Sequence, residues 1–365
     1  MARHVFFGAN TPRGFVQWFD QILFLDEAQR MIFIKGSSGS GKSTLMRRAG
    51  EAFEAQGQDV EYIHCTNNVA DLDGVCIRGM GIAFLDATPP HAIDPILPVA
   101  VGEIFNTADR IDREALQLHT EELRQLQVQK QGSFEKAYRY FNAACEVFSN
   151  SALLYQSLLK EGELNRAVAR ELKQFAGIGI AAQPGRNRRL FATAVTPQGK
   201  INFIDTLTAG CEVVALRAVE GMGADRFLAR MREEANARGL DTEGCYSPLD
   251  TDRLEHLLIP AIGRCYTTVN EHHTTNDQPV LEIDFMDFLD RGPLKARAGE
   301  LLYNEKMFDE LLQRAMDSMA EQKVLHDRAE ILYAGCMDFE RLGQDFDALL
   351  DRLLPARREK GEERP

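Results

Sequence analysis

The chain has 365 residues, of which 44% are hydrophobic and 27% are charged, and its formal net charge is −13. This length predicts two domains, and the hydrophobic and charged fractions are those of an ordinary globular protein. The negative charge argues against general binding to nucleic acids or anionic membranes, because phosphate groups repel such a surface. The seven cysteines form no C-x-x-C pair, so we expect neither a zinc site nor a disulfide framework.

The N-terminal residues lack the long apolar run of a signal peptide, and no apolar stretch is long enough to span a membrane. We therefore expect a cytoplasmic protein with no membrane association. The chain opens with a predicted edge strand over residues 3–9 and a turn over 11–14. Apolar residues at helical spacing then predict a helix from Phe15 to Leu23.

A phosphate-binding loop follows a short apolar strand over residues 31–35. The sequence GSSGSGKS, from Gly36 to Ser43, matches the pattern G-x-x-x-x-G-K-[ST] in full. Its glycines let the backbone curl so that N–H groups face phosphate oxygens, and the following helix adds partial positive charge. In such a loop Lys42 reaches the β- and γ-phosphates and Ser43 holds Mg²⁺. The candidate ATP-binding residues are Gly36, Ser37, Ser38, Gly39, Ser40, Gly41, Lys42, Ser43 and Thr44.

The elements after the loop end in a candidate catalytic acid. We predict a helix over 42–55, a strand over 60–64, a short helix over 71–77 and a strand over 81–86. Asp86 ends that last strand and is the candidate ligand of the Mg²⁺ hydration shell, directly or through water; the alternative is a turn cap. Lys42 and Asp86 are thus the candidate catalytic residues, and Ser43 and Asp86 the candidate metal ligands.

Further polar residues nearby are weaker candidates. Asp71 and Asp73 are alternatives for metal or water contact, and His91 is either a base or a structural residue. Asp94 carries no assignment. Residues 106–109 resemble a guanine-reading N-K-x-D motif but lack its lysine, which favours ATP over GTP.

The second half of the chain repeats the first. Thr196 aligns with Thr11 at a shift of 185 residues, and Gly223 aligns with Gly41 at a shift of 182. We therefore expect a tandem duplication, with an active domain over 1–180, a degenerate domain over 186–355 and a disordered tail over 356–365. Helical segments over about 111–175, with a break at 132–133, and over about 293–354 are interpreted either as packing and dimer surfaces or as a lid over substrate.

The second copy has lost the groups that would bind a triphosphate. Ala224 stands where the first copy has Lys42, Asp225 stands in the place of Ser43, and Thr268 in the place of Asp86. An acid at this position repels phosphate. We expect one working nucleotide site per chain. His273 keeps the place of His91, which favours a structural role for that histidine.

A Gly/Pro-rich segment over 177–189 is predicted to link the halves. It carries Arg186, Arg188 and Arg189, one of which would be an arginine finger for the γ-phosphate if the degenerate domain packs on the active one. The alternative is ordinary surface charge or pairing with acids of the body.

Three features resemble a bacterial family of duplicated P-loop proteins usually labelled ATPase or nucleotide-kinase-like. They are the Thr-Pro-x-Gly opening of both halves, the loop GSSGSGKST and the segment FLDATPPHAIDP. The resemblance implies ATP binding and a P-loop fold, but it supplies no substrate. In that family the second copy can keep a recognisable loop, whereas here it is degraded.

We therefore expect an α/β protein of two P-loop NTPase-type domains, each with a mainly parallel sheet flanked by helices. The favoured function is Mg²⁺-dependent ATP hydrolysis coupled to a conformational change between the halves or with a protein partner. The alternatives are γ-phosphate transfer to an unidentified small-molecule acceptor and a nucleotide-gated binding module without turnover. A homo-oligomer is one of the assemblies that this sequence allows.

Overall fold

A computed structural model describes residues 2–271 and 273–354, and within them two six-stranded mixed sheets, mostly parallel, are flanked by helices. The predicted tail over 356–365 lies outside the described residues. The elements of the first half are β1 (Arg3–Val5), β2 (Gly8–Thr11), β3 (Gly14–Gln17), β4 (Arg30–Lys35), α1 (Lys42–Glu54), β5 (Glu61–His64), β6 (Leu72–Ile77), β7 (Ile82–Asp86), β8 (Gly102–Asn106), α2 (Arg113–Gln117), α3 (Thr120–Ser157) and α4 (Glu161–Glu171). Those of the second half are β9 (Asn187–Leu190), β10 (Thr193–Thr196), β11 (Gly199–Asn202), α5 (Ile204–Leu207), β12 (Glu212–Arg217), α6 (Ala224–Ala237), β13 (Thr242–Tyr246), β14 (Leu254–Ile259), β15 (Arg264–Val269), β16 (Leu281–Asp284), α7 (Arg291–Ala296), α8 (Ala298–Ala334) and α9 (Phe339–Leu353).

The two halves have the same strand order. The first sheet runs β1-β5-β6-β7-β4-β8, and the second runs β9-β13-β14-β15-β12-β16. The registers also correspond, because Arg3 lies opposite Glu61 in one sheet and Arg188 lies opposite Glu243 in the other. The internal repeat found in the sequence is therefore also present in the strand order and in the register.

Four local predictions were wrong. Residues 72–77 form β6 rather than a helix, because all six are buried in the middle of the sheet, where the β-branched Val75 and Ile77 suit a strand. Residues 14–17 form β3, which pairs with β2, and only a 3-10 turn at Phe19–Gln21 follows. α3 runs unbroken through 132–133. A helical glycine costs only about 1 kcal/mol, and packing on α8 offsets it. The predicted linker ends in β9.

The last helix of each half packs on the sheet of the other half. α9 places Leu342, Phe346, Leu349 and Leu350 in one core cluster with Leu45, Met46 and Phe53 of α1. α4 places Leu164, Ala167 and Val168 against Phe227 and Leu228 of α6. Isolated bridges, Ile111 with Met337 and Leu159 with Leu289, repeat this exchange in the main chain. Each half thus completes the hydrophobic core of the other.

The long helices α3 and α8 form an antiparallel pair between the two halves. Their contacts run in opposite directions along the chain, since Lys136 pairs with Glu321 at 3.2 Å and Phe148 stacks on Phe308 at 4.6 Å between ring centroids. No described helix has both the length and the apolarity that a membrane span requires.

The edge strands β1 and β9 meet where the two halves join. Phe6 and Phe191 exchange main-chain hydrogen bonds of 3.0 and 2.9 Å, which sets the two strands antiparallel. Beside them Arg188 is 2% exposed and its Nη1 donates to Glu61 at 3.1 Å and to Glu243 at 3.0 Å. Arg3 binds the same two carboxylates. A buried cluster of two arginines and two glutamates therefore joins the sheets.

Candidate functional site: a glycine-rich loop beneath two long helices

The glycine-rich loop from Gly36 to Ser43 leaves the carboxyl end of β4 and enters α1. β4 lies between β7 and β8 and pairs in parallel with both, so the carboxyl ends of all three strands meet at one edge of the sheet. Ile32 and Ile34 are fully buried in β4, and α1 buries Leu45, Met46 and Phe53. The loop between them is consequently held by the core on both sides.

Glycines are required at two points of this loop. Gly41 has φ +84° and occupies the N-cap of α1, and Gly39 has φ +71°. A Cβ atom on Gly39 would lie 2.3 Å from the carbonyl oxygen of Glu330 in α8. A larger residue at 39 would therefore be strained by its own backbone and would also displace α8.

Lys42 and Asp86 lie next to each other at this sheet edge. The Lys42 Nζ donates to the carbonyl oxygens of Gly36 at 3.1 Å and Ser37 at 2.8 Å, and it lies 3.6 Å from Asp86 Oδ2. Asp86 Oδ1 accepts from the Thr88 N–H at 2.9 Å, so the carboxylate also caps its own turn. The Ser43 hydroxyl oxygen accepts from the Leu72 N–H at 3.0 Å.

A cavity of about 1380 Å³ opens over the loop. Its floor contains every residue from Gly36 to Thr44, together with Asp71, Asp73 and Asp86. Its walls come from α2 and α3 of the first half and from α8 of the second half. These walls carry three cationic and three aromatic side chains: Arg113, Arg124, Lys130, Phe134, Tyr138 and Tyr333.

α8 contacts the loop directly, which the sequence did not predict. Ser38 Oγ lies 3.3 Å from His326 Nε2, and the Glu330 main chain packs on Gly39. Burial lowers the pKa of His326 to about 4 and raises the pKa of Glu330 above its usual value. The four-residue spacing of these two side chains places them on one helix face, but nothing local connects that face with a loop nearly 290 positions away.

Asp71 and His91 take different places in this site. Asp71 accepts from the Asn68 amide at 2.7 Å and faces the cavity. His91 is buried, stacks on Phe19 at 4.8 Å between centroids, and places its Nε2 3.4 Å from Asp73 Oδ1. These contacts are those of a structural histidine.

Asp73, Asp94 and Cys65 lie in three different surroundings. Asp73 is buried, and this burial raises its pKa. Cys65 joins Asp73 and His91 in a group of possible metal ligands whose atoms lie within 4.8 Å of one another. Asp94 is exposed and pairs with Lys35, and Asn106 caps a 3-10 turn by accepting from the Ala108 N–H at 3.2 Å.

None of the three linker arginines lines the cavity as the described residues form it. Arg188 is locked in the buried cluster with Glu61 and Glu243. Arg186 pairs with Asp26 and Glu27, and Arg189 lies over the rings of Trp18 and Tyr246. The geometry favours pairing over the alternative of an arginine finger.

The second half has a loop with the same backbone curl but without the lysine and the hydroxyl of the first loop. Gly221 and Gly223 have φ +86° and +96°, like Gly39 and Gly41, while Ala224 and Asp225 replace the lysine and the hydroxyl. α3 covers this loop as α8 covers the first, since a Cβ on Gly221 would lie 2.1 Å from the Ala152 carbonyl oxygen. The cavity here is about 230 Å³.

The chain is therefore an α/β protein of two mixed, mostly parallel sheets, with a glycine-rich loop at the carboxyl edge of the first. Comparison with family models, with curated proteins and with solved structures found no match.

Proposed function

We propose that the first half binds ATP with Mg²⁺ at the loop from Gly36 to Thr44, and that the chain hydrolyses it in step with a movement of α3 and α8. The supporting observation is the complete phosphate-loop sequence, curled at Gly39 and Gly41, with Lys42 and Asp86 3.6 Å apart at the sheet edge. We also propose that both halves descend from one P-loop NTPase-type domain, as the resemblance implies. The shared strand order supports that descent.

The residues present suit these roles. The loop N–H groups and the N-terminus of α1 would hold phosphate oxygens. Lys42 now donates to carbonyl oxygens of its own loop and would exchange them for the phosphates. Ser43 and Asp86 would hold Mg²⁺, which supplies charge neutralisation on the phosphates when bound.

Contacts across the cavity support a coupled movement. The loop touches α8 through Ser38 and Gly39, and the second loop touches α3 through Gly221. Because α3 and α8 pack along their lengths, a displacement of α8 at the first loop would shift the helix that covers the second. Packed helix pairs move as bodies rather than by gradual deformation.

One observation favours a second candidate, transfer of the γ-phosphate to a small molecule. The cavity of about 1380 Å³ exceeds the 300–1,000 Å³, roughly, of a typical ligand pocket. The wall formed by α2 and α3 carries Arg113, Arg124 and Lys130, which would suit an anionic acceptor. A kinase would release phosphate slowly until an acceptor is supplied, whereas a hydrolase would release it steadily from ATP and Mg²⁺ alone.

The first test is the response of thermal stability to nucleotide. ATP with Mg²⁺ at 100 times its dissociation constant is expected to stabilise the chain by about 2.7 kcal/mol. Lys42→Ala removes the γ-phosphate contact, and a tenfold loss of affinity would reduce that gain to about 1.4 kcal/mol at the same concentration. Lys306→Ala, whose side chain is 74% exposed on α8, is the matched control and should respond as the parent chain does. An unchanged response of Lys42→Ala would refute the site.

Turnover and movement need separate measurements. Steady phosphate release from ATP supports hydrolysis, acceptor-dependent release supports the kinase, and nucleotide-dependent stabilisation without release indicates a binding module. Hydrogen exchange of residues 324–334 in α8 should change when nucleotide is added, and this change should be smaller in Lys42→Ala. Unchanged exchange there under saturating nucleotide would remove the coupling from the proposal.

A further inference from the structure

A group of ligand-type side chains lies in the second half, at the edge of its smaller cavity. Glu255, His256 and His273 each offer one ligand atom, and these atoms lie within 4.8 Å of one another. Glu255 and His256 are 6% and 0% exposed. Two imidazoles and a carboxylate are the donors that divalent transition-metal sites in proteins use.

A β-bulge brings two consecutive residues to this place. β14 pairs His256 with Cys245 and Leu254 with Tyr246 of β13, so Glu255 is the extra residue between two paired ones. Successive residues of a regular strand face opposite sides of the sheet, whereas a bulge re-aims a side chain. The irregularity therefore explains how Glu255 and His256 approach a common point.

In each of the two histidines the Nδ1 atom lies near a threonine hydroxyl. His256 Nδ1 lies 2.7 Å from Thr267 Oγ1, and His273 Nδ1 lies 3.4 Å from Thr193 Oγ1. A hydroxyl oxygen that accepts from Nδ1–H fixes the tautomer whose Nε2 carries the lone pair, which is how metal-binding histidines are commonly oriented. His273 Nε2 lies 3.3 Å from Glu255 Oε1.

Two buried polar atoms of the group lack partners. Among the described residues, His256 Nε2 and Glu255 Oε2 have no hydrogen-bond partner. Leaving such a buried acceptor unpaired costs the fold its desolvation free energy. A bound cation would satisfy both atoms at once.

We propose that Glu255, His256 and His273 bind a divalent first-row transition-metal ion through one carboxylate and the two Nε2 atoms. Glu255 and His273 also line the cavity of about 230 Å³, so the remaining coordination positions face a space that admits water or a small ligand. Three protein ligands with an open position are the pattern of reactive rather than purely structural metal sites.

This site does not depend on the proposed nucleotide site. In the first half Asp73 and His91 occupy the corresponding places, but Gly74 stands where the second half has His256. The first half instead has Cys65 beside its pair. The spacing of the cysteines in the sequence predicted no zinc site. The group of Glu255, His256 and His273 contains no cysteine, so that spacing could not reveal it.

The test is a metal titration of the full chain after treatment with a chelator. Co²⁺ is expected to bind with visible d–d absorption, and Zn²⁺ should displace it. His256→Gln and Glu255→Gln should abolish the absorption, whereas Cys65→Ser should leave it unchanged. Thr267→Val keeps the shape of the side chain and every ligand, and loss of its support for His256 should weaken Co²⁺ binding about 10- to 100-fold.

Circular dichroism and the melting temperature of each metal-free variant show whether it folds. If a ligand variant does not fold, Thr267→Val still tests the site, because it changes no ligand. Absence of Co²⁺ absorption in the parent chain would overturn the proposal. So would absorption that persists at full affinity in His256→Gln and Thr267→Val, or absorption that Cys65→Ser removes.

Discussion

Replacing Arg188 with methionine is expected to destabilise the chain by about 3–5 kcal/mol, because the change leaves two buried carboxylates without their central cation. Arg188 is 2% exposed, and it donates to Glu61, to Glu243 and to the carbonyl oxygens of Gln21 and Ile22 at 2.8 and 2.7 Å. Methionine is similar in length but supplies none of these donors. Denaturant unfolding at neutral pH measures the loss.

The control is an arginine whose ion pair is exposed. Arg226 pairs with Glu161 in solvent, and Arg226→Met should cost about 1 kcal/mol or less. Adding Glu61→Gln to Arg188→Met removes the surplus negative charge and leaves Glu243 paired with Arg3, so it should recover much of the stability. If Arg188→Met instead kept full stability and lost only ATP turnover, the arginine-finger interpretation would be right.

The same cluster predicts how the loss depends on pH. Burial would raise the pKa of Glu243, but Arg3 and Arg188 outweigh it and lower that pKa to about 2. A carboxyl whose folded pKa lies below its unfolded value of about 4.5 stabilises the fold above pH 4.5, and this contribution is lost as the pH falls toward 2. Without Arg188 the folded pKa of Glu243 rises, so the stability deficit of Arg188→Met should shrink as the pH falls below that raised pKa toward 2.

The glycine-rich loop, the strand before it and the helix after it were accessible from sequence because their pattern is local. An apolar strand, a glycine-rich turn and a helix lie within some twenty residues, and the structure has β4, the loop and α1 there. The repeat was accessible because two copies of one pattern can be compared within the chain. β6 was not, because its six residues, Leu72–Ile77, are too few for periodicity to distinguish a strand from a helix.

The walls of the cavity could not be predicted from the sequence, for a different reason. α4 and α9 are amphipathic, and an apolar face predicts burial without saying which sheet buries it. α8 presents His326 and Glu330 to a loop of the other half, which is a consequence of how the two halves pack. The metal-ligand group likewise depends on a bulge in β14, which the sequence does not mark.

The exchange of α4 and α9 makes a prediction about which half each helix supports. Leu342 in α9 and Leu164 in α4 occupy corresponding places, are both 2% exposed, and lie in the core clusters of the first and second sheets respectively. Either leucine changed to alanine should cost about 2–5 kcal/mol by cavity formation. Asp351→Ala, at an exposed position of α9, should cost little.

Hydrogen exchange separates the two variants. Leu342→Ala should increase amide exchange in α1, which packs beneath α9, and Leu164→Ala should increase it in α6. Exchange through local unfolding of α1 or α6 is enough to separate the variants, because each packed unit of a protein opens with its own free energy. The reverse assignment, with Leu342→Ala loosening α6, would show that each half keeps its own last helix.

The nucleotide response should follow the same division. A Cβ on Gly41 would lie 3.6 Å from Leu342 Cδ2, so α9 supports the loop from Gly36 to Ser43. Leu164 stands in the same relation to Gly223 of the second loop, at 3.1 Å. Leu342→Ala should therefore weaken stabilisation by ATP and Mg²⁺, whereas Leu164→Ala, with a similar loss of stability, should leave it unchanged. A helix encoded nearly 300 residues after the loop would then be part of what makes that loop bind, and residues 1–180 alone would lack a wall that their site requires.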